Sequence, residues 1–140
     1  MTLDSNIKVK PKFWNLIPWI SEQTATALYP NIYLPEKTYR NLQKTNPDPY
    51  NIARLIHEQT HIKRIQKEGV VKFALKYLLD PTYRISEELI ATKESMKFIK
   101  SKKLIWNIDR SARFLSGWLY LWPDSYKNIK SKLDRIWYEI

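Results

Sequence analysis

The sequence predicts an α+β fold, predominantly helical, in which a short sheet or hairpin precedes a long helix and additional C-terminal helices close the chain. Three observations predict it. β-Branched and aromatic residues gather at 24–29 and 32–34 around the turn dipeptide Pro30-Asn31. Downstream, Asp48-Pro49, Gly69, Asp80-Pro81 and Pro123 punctuate a chain whose apolar residues recur at helical spacing. The length, 140 residues, suits one core and falls short of two ordinary domains.

Taken in order, residues 1–12 read as a basic, poorly ordered arm and 13–140 as a single domain. Residues 13–20 carry Trp14 and Trp19, which are expected to pack onto the body. The two β-rich segments on either side of Pro30-Asn31 make a hairpin or a pair of strands. Asp48 supplies an N-cap and Pro49 a first helical residue for a helix running to about Lys67, which Gly69 ends. A second, amphipathic helix spans 70–79, with Val70, Phe73, Ala74 and Tyr77 at helical spacing, and Asp80-Pro81 closes it. A third covers about 83–100, and two more cover 109–122 and 125–138. Within 109–122, Phe114, Leu115, Trp118 and Trp122 repeat at helical spacing, which points them to the core.

Composition narrows the function classes. A hydrophobic fraction of 44%, with six Trp and nine Tyr, describes an aromatic-rich interior and not a disordered chain. Two glycines are too few for the phosphate-cradling loops of nucleotide-binding folds. The lack of cysteine removes disulfides, thiolate metal sites and thiol nucleophiles, so any metal must be held by nitrogen and oxygen. It also favours a reducing compartment. Asn15 and Pro18 interrupt the apolar stretch 13–20, which does not read as a signal peptide. The run near 114–122 is broken by Ser116 and Gly117 and is far short of the roughly 20 residues that span a bilayer. These features favour a cytoplasmic location.

The formal charge of +10 attracts polyanions such as nucleic acid, anionic membrane or acidic protein. Lysines between Lys93 and Lys103, followed by Trp106, Trp118 and Trp122, frame one functional reading: a basic module that binds nucleic acid or protein. The oligomeric state is not legible.

The other reading starts at His57-Glu58-Gln59-Thr60-His61, within the first long helix. Residues four apart on a helix lie on one face, about 5–6 Å from each other, so both imidazoles can reach one tetrahedral ion. Glu58 is turned by roughly 100° and stands beside the ion, where it can take a proton from water. The chain has only two histidines, and chance gives this arrangement roughly once in a thousand. Ile52, Leu55, Ile56, Ile62 and Ile65 occupy one broad arc, with the histidines opposite, so they are not expected to be core residues.

A catalytic zinc takes three protein ligands, and with no further histidine the third must be a carboxylate. Glu87 and Glu88 open the third predicted helix. Ile85, Leu89, Thr92, Met96 and Ile99 form its inward stripe, and Glu88 falls within the wider arc of that stripe. An inward carboxylate is costly unless neutralised, as a metal would do. Glu87 lies nearer Glu94 toward the outer edge and is the fallback ligand.

HEQTH on one helix, followed by Glu88-Leu89-Ile90-Ala91 on a later one, resembles the gluzincin group of zinc metallopeptidases over residues 24–100. The resemblance implies a zincin-like fold, with an active-site helix under a short sheet whose edge strand lines the cleft. It implies one Zn2+ held by His57, His61 and Glu88, with Glu58 as general base for hydrolysis of a peptide or protein substrate, by endopeptidase more than exopeptidase action. The family's Glu-x-x-Ala is often followed by Asp, whose carboxylate orients a ligating histidine; here that place belongs to Thr92, a candidate second neighbour of the metal. Tyr83 or Arg84 is expected to contact the oxyanion or the substrate.

Overall fold

The computed structural model describes residues 2–16 and 24–140. Among them lie three strands, β1 (Ile7–Val9), β2 (Thr26–Leu28) and β3 (Asn31–Leu34). Six helices follow: α1 (Glu36–Leu42), α2 (Pro49–Glu68), α3 (Val70–Leu79), α4 (Pro81–Ser101), α5 (Ile108–Leu115) and α6 (Tyr126–Glu139). The fold is therefore α+β and mostly helical, with one small sheet before the long helices.

The sheet has the order β1-β3-β2. The antiparallel pair β2 and β3 is the expected hairpin, turning at Tyr29-Pro30, whose peptide is cis. Residues 7–9, expected within a loose basic arm, instead form β1 parallel to β3, with Ile7 opposite Ile32 and Val9 opposite Leu34. The reason is apolar burial: Ile7 buries beside Ile32, with Leu3 packed against the same cluster. Side chains alternate along β3, so Ile32 and Leu34 share one face. That face meets Leu42 of α1 and Leu55 and Ile62 of α2 in a first apolar cluster. Trp14 stacks near Tyr33, ring centres 4.6 Å apart, as expected of the 13–20 segment; Trp19 lies outside the described residues.

Helix α2 begins where Asp48 and Pro49 dictate. The Asp48 carboxylate accepts from the Tyr50 N–H at 2.9 Å, and Pro49 supplies a first residue that needs no donor. Gly69 ends α2 with φ 95° and is the single residue before α3, so it alone sets the angle between the two helices. Asp80 caps α4 through the N–H groups of Thr82 and Tyr83. A second apolar cluster joins Ile85 and Met96 of α4 to Ala112 and Leu115 of α5 and Ile129 and Leu133 of α6.

Two expectations need correction. Helix α2 is covered on two sides, by the sheet and by α4, leaving only Tyr50, Lys63, Gln66 and Lys67 exposed, so His61 is buried and His57 half-buried, although one broad apolar arc had placed both outside the core. Helix α5 stops at Leu115 instead of continuing to 122; the Gly117 N–H turns back to the Phe114 carbonyl at 3.2 Å, and a 3-10 turn follows at Trp118–Tyr120. Helical spacing therefore says nothing about Trp122, which is 70% exposed.

Candidate metal centre

His57 and His61 project from the same side of α2, one turn apart, toward α4. Helix α4 is fixed against α2 by hydrogen bonds on both sides of the cluster. The Ser95 hydroxyl donates to the Ala53 carbonyl at 2.7 Å. Arg64 donates through Nε and one terminal nitrogen to the two oxygens of Glu87, at 2.8 and 2.6 Å. This docking brings Glu88 between the histidines.

The resulting distances are short and nearly equal. His57 Nε2 lies 3.1 Å from His61 Nε2 and 3.1 Å from Glu88 Oε2. His61 Nε2 lies 3.3 Å from Glu88 Oε1. Bonds of about 2.0–2.2 Å to a tetrahedral zinc put its ligand atoms about 3.3–3.5 Å apart; the contacts here engage both Glu88 oxygens, and one ligand atom from each of the three residues lies within 4.8 Å of the others, close enough to converge on one ion. Among the described residues no other group of three His, Asp or Glu side chains is so disposed. The set fits a divalent cation of nitrogen and oxygen preference.

The electrostatics describe a carboxylate that must be neutralised. Burial would push the Glu88 carboxyl up, but the two imidazoles beside it outweigh burial and hold it below the usual range. Burial would lower His61, and Glu88 reverses this, raising it to about 9. Glu58, on the same helix, is buried, and burial pushes its carboxyl up against the pull of His57 and His61.

Three residues at the site were not foreseen. The Tyr77 hydroxyl donates to Glu88 Oε1. Tyr120 is a second neighbour of Glu88: burial and then that carboxylate's charge push its hydroxyl well above 10. Lys10, after β1, is buried with its ammonium donating to the Thr24 carbonyl; burial pushes it down to about 8, while the charge of Glu58 pulls it back up. Tyr77 belongs to the helical-spacing set of α3, of which Phe73 is buried and Tyr77 half-buried while Val70 and Ala74 are exposed, and a phenol beside Phe73 was the available clue. Tyr120 and Lys10 lie in irregular segments with no periodicity to read.

The remaining candidates take other roles. Glu87 is 2% exposed instead of near the outer edge, and its carboxylate is occupied by Arg64. Tyr83 donates to Glu68, away from the cluster. The Arg84 guanidinium donates to the carbonyls of Tyr77 at 2.8 Å, Leu78 at 2.7 Å and Tyr120 at 3.1 Å. It thus clasps the two segments that carry the tyrosines. His61 Nδ1 is buried with no hydrogen-bond partner, so Thr92 does not orient that ring. In the basic stretch, Lys97 pairs with Glu94 at 2.7 Å, and Lys100 donates to the Trp137 carbonyl at 2.8 Å. Trp106 packs against the second apolar cluster, Trp122 is exposed, and the Trp118 side chain lies outside the described residues.

No protein-family model, no curated protein and no solved structure matches the chain, so function must be read from the residues themselves.

Proposed function

We propose that this chain is a zinc-dependent peptidase of zincin-like build, with His57, His61 and Glu88 as ligands and Glu58 as general base. The observation that carries the proposal is the approach of two imidazole nitrogens and one buried carboxylate to within 3.1–3.3 Å of each other, with Glu58 one residue along the same helix. The order of parts supports it as well: a small sheet, a helix bearing HEQTH, and a later helix bearing the glutamate.

When bound, zinc supplies a Lewis acid that polarises a peptide carbonyl and acidifies water. The chain's own groups do the rest. Glu58 removes the proton from the attacking water and returns it to the leaving amine. Tyr77 holds Glu88 by its hydroxyl and keeps that carboxylate turned toward the histidines. Glu58, His61 and Glu88 are all buried, which keeps bulk water from competing for these contacts. An extended peptide pairing with an edge strand of the sheet, β1 or β2, would be held mainly by its backbone.

The test is metal content and proteolysis of the wild type beside three variants. Glu58→Gln is expected to keep one zinc and lose cleavage of an unstructured protein substrate by a factor of about 100 or more. Glu88→Ala should lose the metal and Glu87→Ala should keep it. Zinc retained with no cleavage by wild type or variant would instead make this a structural ion site.

A further inference from the structure

Helix α3 is apolar on two opposite sides. Phe73 and Tyr77 face the body, stacked with ring centres 5.7 Å apart. On the other side Val71, Leu75, Leu78 and Leu79 are 72, 54, 63 and 78% exposed. Only Lys72 and Lys76 on one flank interrupt the apolar surface of α3, and an exposed apolar ridge of this size marks an interaction surface. Beyond its end lie Leu121 and Trp122, also exposed, with φ of 58° and 45°. Left-handed backbone at two consecutive non-glycine residues is strained, and the surrounding bonds must hold it. The Arg84 clasp brings the two pieces together, since one guanidinium holds the carbonyls of both Leu78 and Tyr120. The Trp122 N–H is fixed in turn to the Gly117 carbonyl at 3.1 Å.

We propose that the α3 ridge and the 121–122 loop form one surface that seats in the interface of an anionic phospholipid bilayer. Charge selects this occupant. Lys72 and Lys76 border the ridge on α3 itself and share the single carboxylate of Glu68, at 3.8 and 2.6 Å, which leaves a net positive charge there; Lys67 is exposed at the end of α2, and the chain carries +10 overall. Such an arrangement, leucines below, lysines at the edge and a tryptophan at the rim, suits the boundary between headgroups and acyl chains. A second copy of the chain would bring its own +10 against these lysines. A nucleic acid would leave the leucines unburied. Among the described residues no helix is long and apolar enough to cross a membrane, and the contact proposed here is a peripheral one. The proposal does not depend on the metal centre.

The experiment is co-sedimentation with vesicles of equal parts phosphatidylglycerol and phosphatidylcholine, beside vesicles of phosphatidylcholine alone. Wild type should bind the anionic vesicles on the order of tenfold or more tightly than the neutral ones, with loss in high salt. Leu75→Asp/Leu78→Asp and, separately, Trp122→Ser should each weaken binding on the order of tenfold, with circular dichroism unchanged because these side chains support no core. Absence of wild-type binding would overturn the proposal, as would undiminished binding by the variants. A wild-type dimer in sedimentation velocity that the double variant abolishes would overturn it in favour of self-association.

Discussion

Tyr77 puts a hydroxyl against the carboxylate of the proposed third ligand, and that contact is the most direct residue-scale lever on the site. Tyr77→Phe keeps the ring stack on Phe73 and removes only the donor. It should weaken zinc binding by about 10–100-fold in competition with a chromophoric chelator. Tyr83→Phe, whose hydroxyl serves Glu68, should leave affinity unchanged. Glu68 supplies a pH test elsewhere. Hydrogen bonds from Lys76 and Tyr83 pull its carboxyl down from 4.5 to about 2. Its contribution to stability is thus complete above pH 4.5 and disappears as pH falls through about 2. The stability gap between wild type and Glu68→Gln in urea titrations should stay level above pH 5 and narrow as acid is added. At this scale the sequence was most informative for His57, Glu58 and His61, whose spacing alone puts them on neighbouring positions of one helix. It was least informative for Glu87, because its burial depends on Arg64, a partner 23 residues away.

Elements with a local cause were legible, and those with a distant one were not. Asp48-Pro49, Gly69 and Asp80-Pro81 mark the limits of α2, α3 and α4, because caps and breakers act within a turn of themselves. β1 was missed because three residues of strand owe their form to β3, some two dozen positions later. α1, a short helix with no side-chain cap, carried no start signal. α5 was drawn too long because apolar spacing continued past Leu115 while the backbone did not. Gly69 offers an element-scale prediction. Nothing lies within 4 Å of where a β-carbon would stand, so Gly69→Ala meets no clash. Its φ of 95° is nonetheless foreign to an L-residue, and the variant should lose about 1–3 kcal/mol in chemical denaturation from backbone strain. The reach of Tyr77 to Glu88 depends on that same bend.

For the whole molecule, the division of the donors among elements matters more than any one of them. Two come from α2 and one from α4, with 31 positions between His57 and Glu88. Only the native chain assembles them; an unfolded chain scatters them and binds an ion weakly. Occupancy and folding are then one equilibrium governed by mass action. Every tenfold increase of free zinc above its dissociation constant should add about 1.4 kcal/mol of resistance to unfolding. Scanning calorimetry across a zinc buffer series should give a Tm that climbs with the logarithm of free ion, and a flat series for Glu88→Ala. If the proposed site holds zinc, the folded fraction of the protein in a cell where zinc is scarce would follow the supply of the ion.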